Sequence, residues 1–282
     1  MLSGGRSEAQ SPAPMAEAGR GRHVAVTRGV SPAIARCELT FLERAPIDYP
    51  RAVAQHAAYE RLLEDLGLDV IRVEADEGLP DCCFVEDIAI VLDEIAVLTR
   101  PGAPSRRGET AAVAAALGAF RPIVRLEEPA RIDGGDVLLM GRRLFVGRSD
   151  RTDDAGRAAL AEAVRPFDYE VVPVRMSGCL HLKSAVTAST ADVLLVNPDW
   201  VDLAPFRAWE RIDVDPGEPW GANVVTAGGA VVAAAGFPRT ADRLRARGLE
   251  VRTVDVSEFQ KAEGGVTCKS LLFDLAAETP PE

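Results

Sequence analysis

The sequence predicts one α/β domain built from five similar units around a common centre, and three observations carry that reading. Short segments that open with or contain polar residues, FVED, DGGD, HLKS, GAN and TCKS, place Glu86, Asp133, His181, Asn223 and Cys268 at separations of 47, 48, 42 and 45 positions. The apolar runs that follow repeat one order: strand, strand, helix, strand. The last unit stops after its first strand, and the pieces it lacks stand at the start of the chain. The two termini therefore complete one unit together, which closes a ring and removes an exposed sheet edge.

Each element has its own local signal. HVAVTR reads as a strand, residues 50–66 as an amphipathic helix and LDVIRV as a second strand. IAIVL and IAVLT flank Asp93-Glu94 as a hairpin, followed by an Ala-rich helix from Arg106 to Phe120 and the strand RPIVRL. DVLLM and RLFVG lie either side of Gly141, before a helix over 153–165 and the strand YEVVPV. HLKSAVT and ADVLLVN precede a short helix near 203–209 and the strand RIDV. In the fourth unit NVVTA and AVVAAA meet at Gly228-Gly229, and the helix PRTADRLRARG leads to LEVRTV. A doubly wound sheet also alternates helices and strands, but hairpins within every unit count against it, as does the lack of a Gly-rich phosphate loop.

The 282 residues suffice for a sizeable core. No run reaches the ~18 apolar residues of a membrane span. A net charge of −11 argues against nucleic-acid binding and suits a small cationic ligand. Cysteines 37, 82, 83, 179 and 268 show no paired metal spacing or disulfide framework, which fits a reducing cytoplasm. Residues 1–21, rich in Gly, Ser, Ala and Pro, read as a disordered tail, with Met15 a candidate start. The expected domain is 22–275, with a C-terminal tail over 276–282. Nothing in the sequence speaks to oligomeric state.

The unit openings carry the chemistry. A thiol at Cys268 can serve as a nucleophile once ionised. His181 is a general acid/base candidate, because His23 and His56 have structural readings in the first strand and first helix. Asp133 precedes two glycines that let the chain turn sharply, and it can orient the imidazole. Buried structure, for the cysteine, and an ordinary turn, for the aspartate, are the plain alternatives. Asp81, Glu86 and Asp87 stand in an apolar stretch, LPDCCFVEDIAIV, where carboxylates need a cation such as a guanidinium. A divalent metal is the competing reading. Arg106, Arg107 and Arg151 lead into helices, where a guanidinium can fork onto a carboxylate or simply be solvated.

Taken together, LPDCCFVED, TRPGAPSRRGE, DGGDVL, VGRSDRT, HLKS and TCKS resemble the dimethylarginine dimethylaminohydrolase family over about residues 22–273. The resemblance implies the five-bladed α/β-propeller called the pentein fold. It also implies Cys268 as nucleophile, His181 as proton donor and later base, and Asp133 as the orienting acid. Glu86 and Asp87 would bind the guanidinium, Asp81 with Leu39 and Ala262 the α-amino end, and Arg106 and Arg151 the carboxylate. The implied reaction is hydrolysis of methylated arginine to citrulline and a methylamine, with no metal or organic cofactor. Lys269 after the nucleophile departs from the familiar pattern. Arginine deiminase, an amidinotransferase or another guanidine hydrolase is the enzymatic alternative, and a silent propeller that binds arginine-like ligands or protein partners the non-enzymatic one.

Overall fold

The computed structural model describes residues 22–275, so the expectations for residues 1–21, Met15 and 276–282 lie outside the described residues. Its strands form five sheets of three. The first contains β1 (Arg22–Arg28), β2 (Asp69–Val73) and, from the far end of the chain, β15 (Leu271–Leu275). The others follow in order: β3 (Ala89–Val91), β4 (Ala96–Leu98) and β5 (Ile123–Arg125); then β6 (Val137–Met140), β7 (Arg143–Arg148) and β8 (Glu170–Arg175). The last two hold β9 (Val186–Ala188), β10 (Val193–Val196) and β11 (Glu210–Asp213), and β12 (Val224–Ala227), β13 (Ala230–Ala234) and β14 (Val251–Val254).

In every sheet the middle strand pairs antiparallel with the inner strand and parallel with the outer one. The antiparallel step needs only a turn, whereas the parallel step needs a crossover. Four units use a helix for it: α1 (Tyr49–Asp65), α2 (Thr110–Leu117), α3 (Asp154–Val164) and α5 (Pro238–Ala246). In α1 the Asp48 side chain accepts the Arg51 N–H, Pro50 sits in the first turn, and Gly67 follows the end at φ +87. The unit around β10 differs from expectation, because a single 3-10 turn, Ala204–Phe206, replaces the helix. Phe206 and Trp209 supply its packing by closing on Phe145 at ring distances of 4.6 and 5.4 Å. Gly228 and Gly229, at φ +55 and +82, supply the left-handed pair that the β12–β13 hairpin requires.

The buried apolar residues form five clusters, each shared by two neighbouring units. Val24 and Phe273 of the first sheet, for instance, pack with Leu98 and Leu117 of the second. Val85 and Ile88 belong to the same cluster, so the segment between the units is anchored as well. Ile90, Leu138, Ala188, Val225 and Leu272, one from each inner strand, line a central channel of about 280 Å³.

The unit openings are helical turns, and here the structure corrects the sequence reading. The sequence pattern places HLKS and TCKS with the strands that follow. Instead, 3-10 turns at Val85–Ile88, Gly134–Asp136, Pro219–Ala222 and Thr267–Lys269, and the short helix α4 (Leu182–Ala185), precede the inner strands. The glycines after Asp133 also act differently from expected. Neither has a positive φ. A Cβ on Gly134 would overlap the Glu86 carbonyl oxygen, and one on Gly135 would lie 2.7 Å from Asp87 Oδ1 and 2.8 Å from His181 Nδ1. Close approach is what these positions need. Gly134→Ala should lower stability by about 1 to 3 kcal/mol, because backbone must shift to admit the methyl group; urea unfolding would measure it.

Candidate active site

A narrow cleft, with free space of only about 20 Å³, lies over these turns; Asp81, Asp87, Arg106, Arg151, His181 and Cys268 line it, together with Ala262. Residues from separate units thus meet although up to 187 positions separate Asp81 from Cys268. Space of this size holds about one water molecule. Glu38 and Glu263 also border the cleft. The Glu263 carboxylate accepts the N–H groups of Thr40, Phe41 and Leu42, while Glu38 N–H donates to Asp81. Residues 38–42 are therefore fastened across the mouth.

His181 caps the N-terminal end of α4 and is 7% exposed. Its Nε2 lies 3.0 Å from Asp133 Oδ2, and its Nδ1 lies 3.7 Å from Asp87 Oδ1. Burial opposes the imidazolium, but Asp87, the hydrogen bond with Asp133 and the charge of Asp136 outweigh it and raise the pKa to about 9. The ring is therefore cationic at neutral pH. Asp133 is held in place by the Gly102 N–H, which donates to Oδ1, and by Thr152 Oγ1, which accepts the Asp133 N–H.

Asp87 lies at the meeting of three units. Burial would raise its pKa, but His181 and Arg106 hold it down to about 2. Arg106 Nη1 donates to Asp87 Oδ2 at 2.5 Å, and the Gly135 N–H donates to Oδ1 at 3.0 Å. The rest of the Arg106 fork serves Glu109 and the carbonyls of Asp81 and Phe84. Arg106 thus faces the cleft with its guanidinium largely committed to internal acceptors. Arg151 is freer: its Nη1 lies 3.9 Å from Asp133 Oδ2 and its Nη2 donates to Thr40 Oγ1. Arg107 instead donates to the Pro101 carbonyl away from the cleft.

Two expected site residues lie elsewhere. Glu86 faces the central channel, where Lys183 Nζ approaches it at 2.6 Å and the Thr267 hydroxyl donates at 2.7 Å. Leu39 packs against the apolar cluster around α1 and does not line the cleft. Asn223, at the fourth opening, braces the turn that carries Cys268 by accepting the Thr267 N–H and donating to Thr267 Oγ1.

Cys268 Sγ accepts the Gly265 N–H at 3.2 Å. Burial, with Glu86 and Asp87, pushes the thiol up to about 12, so it is protonated at neutral pH. The other cysteines, 37, 82, 83 and 179, are buried and free. Asp87, Asp133 and His181 offer ligand atoms within 4.8 Å of one another. Both carboxylates, however, are already engaged by protein donors, which leaves this set ill suited to a divalent ion.

Sequence reasoning passed over Asp136 and Glu109. Asp136 is fully buried; its Oδ1 accepts the Leu182 N–H beside His181, and its Oδ2 accepts the Ser149 and Thr152 hydroxyls. Burial raises it to about 6, against the pull of His181 and the two hydroxyls. The second aspartate of DGGD was the available signal. For Glu109 it was the i,i+3 spacing from Arg106, where opposite charges meet.

No family model matches the chain. Curated relatives do, two of them with this chain covered over most of its length. N(G),N(G)-dimethylarginine dimethylaminohydrolase of Streptomyces coelicolor is 40% identical over 249 residues, 88% of this chain and 95% of the relative. The protein of that name from Pseudomonas aeruginosa is 34% identical over 228 residues, covering 80% and 90%. A crystal structure of the Pseudomonas aeruginosa enzyme, a Cys-to-Ser mutant complexed with citrulline, superposes with a TM-score of 0.85 at 31% identity, over 88% of this chain and 98% of that one. The N-terminal domain of the cyanobacterial arginine dihydrolase ArgZ shares the fold at a TM-score of 0.77 and 21% identity, over 89% and 97%. The fold is thus the pentein propeller, and the chain belongs to the dimethylarginine dimethylaminohydrolase family.

Proposed function

We propose that this chain hydrolyses Nω-methylated arginine to citrulline and a methylamine through a covalent thiouronium on Cys268. The observation that carries the reading is the convergence of a thiol, an imidazolium–carboxylate pair and two further buried carboxylates on one cleft. Relatives named for this activity, 34 and 40% identical, support it. So does the citrulline complex of the Pseudomonas aeruginosa enzyme.

A guanidinium replaces, beside Asp87, part of the positive charge that a buried carboxylate demands. Asp81 is assigned the α-amino group and Arg151 the carboxylate. Ala262 forms apolar wall. Arg106 acts chiefly by fixing Asp87, with one Nη1 hydrogen left for the ligand, whereas Glu86 and Leu39 act from behind the cleft. Residues 38–42 must move aside to admit a molecule of this size.

The ligand's own charge also addresses the high thiol pKa. A cation beside sulfur favours loss of the thiol proton to solvent, since His181 already carries its own, and the thiolate attacks the central guanidinium carbon. A tetrahedral adduct forms. His181 transfers its proton to the departing methylamine as the C–N bond breaks, leaving a thiouronium. The neutral imidazole then takes a proton from water, which adds to the same carbon; as the C–S bond breaks, the added hydroxyl gives its remaining proton to solvent, so that citrulline forms and the thiolate returns. Five unpaired cysteines fit a reducing, cytoplasmic setting. No described helix is long and apolar enough to cross a membrane.

Asymmetric dimethylarginine should release equal amounts of citrulline and dimethylamine; ammonia release from arginine alone would replace this reading with a deiminase. Cys268→Ser should lower turnover at least about 10³-fold with the melting temperature nearly unchanged. The acid form of His181 is required, so kcat should fall as pH rises through the imidazole pKa, near 9 in the empty site. Asp133→Asn removes a group that raises this pKa, and the alkaline limb of the kcat profile should move to lower pH.

A further inference from the structure

Only three lysines occur among the 32 basic residues of the chain: Lys183, Lys261 and Lys269. Lys183 pairs with Glu86, and Lys261 bonds Glu258 and the Pro46 carbonyl at the rim. Lys269 has no carboxylate partner within ion-pair distance among the described residues, yet it is 0% exposed. A buried ammonium without a counterion is costly unless other groups stabilise it.

Its surroundings supply such groups. The Lys269 Nζ donates to the Gly265 carbonyl at 3.1 Å and stands over the rings of Tyr59, from α1, at 4.5 Å, and Phe259, from α6 (Ser257–Gln260), at 5.2 Å. Two aromatic faces favour a cation. The Tyr59 hydroxyl is turned to Ser270 at 2.7 Å, so its ring face is fixed. Gly265 also donates its N–H to Cys268 Sγ. The lysine therefore grips the carbonyl of the residue whose amide touches the sulfur. On its other side Gly265 is pressed against Asn223, where any Cβ would overlap the Asn223 side-chain oxygen.

We propose that Lys269 is a positioning residue for Cys268: its ammonium fixes Gly265 so that the amide hydrogen stays on sulfur, and its charge favours the thiolate. This rests on Cys268 as the nucleophile. A neutral amine would keep one hydrogen bond to the carbonyl but lose the ring attraction and the field at sulfur. The thiol and the lysine are consequently linked, each ionised form stabilising the other. Burial lowers Lys269 to about 7, while Cys268, Cys83 and Glu86 oppose the fall. These, with Tyr59, are the titratable groups that face it. At neutral pH the lysine is poised between its two forms. Formation of the thiolate beside a bound guanidinium should draw it to the charged one.

Carbon-13 labelling of lysine at Cε gives three resonances, assigned by single substitutions. In the full native chain with guanidinium chloride added as the cation, below its denaturing range, the Lys269 resonance should titrate at higher pH than it does in Cys268→Ser under the same conditions, where no thiolate can form. Lys269→Met keeps an apolar stem against Tyr59 and Phe259. With the same cation present at about pH 8, it should slow alkylation of residue 268 by iodoacetamide about tenfold, the fall in thiolate fraction that one unit of thiol pKa represents. A comparable loss in kcat/KM should accompany it, with little change in KM. Identical Lys269 titrations in the native and Cys268→Ser chains with guanidinium present would overturn the proposal even if the methionine variant failed to fold, as would an unchanged alkylation rate in a folded Lys269→Met. Turnover retained by Cys268→Ser would instead sink the nucleophile assignment.

Discussion

Asp87 can remain ionised inside this protein only because neighbouring parts of the ring meet its charge at once. Arg106 arrives from the loop after β4, the Gly135 amide from the next unit opening, and the imidazole of His181 from the one beyond. Removing any of them would leave buried charge without its counterpart. The same carboxylate holds His181 protonated and adds to the burial and the Glu86 charge that raise the Cys268 thiol. It thus favours the protonated form of both the imidazole and the thiol. A cationic ligand completes the balance.

Holding these groups at such short range depends on the glycines and on ring closure. Gly134 and Gly135 let the first and third openings close on the second without intervening side chains, and the imidazole lies against the bare backbone of Gly135. The apolar clusters lie between units, so each unit is stabilised by its neighbours. Pairing of β15 with β1 joins the terminal pieces and brings the Cys268 turn to the same centre as Asp87. Fold stability and site geometry therefore share their determinants. Behind the cleft, the Glu86–Lys183 pair and Asn223 support the turn that carries sulfur.

The repeat spacing, the hairpin glycines at 228 and 229, and the complementary ends of the chain determined the five-unit ring and the presence of Asp87, Asp133, His181 and Cys268 at its openings. These signals are local: apolar alternation and turn chemistry survive without knowledge of neighbours. Tertiary structure decided which way each side chain points. The openings are helical turns, where successive residues diverge by roughly a third of a revolution, so Asp87 enters the cleft while Glu86 enters the channel. The same divergence parts Cys268 from Lys269. Partner choice was equally hidden, since Arg106 is bound by Asp87 and Glu109, and Lys269 by the ring of Phe259 and that of Tyr59 near the other end of the chain. A linear pattern records period and polarity, but the direction of a side chain on a short turn, and what meets it there, is fixed only when the other units pack around it.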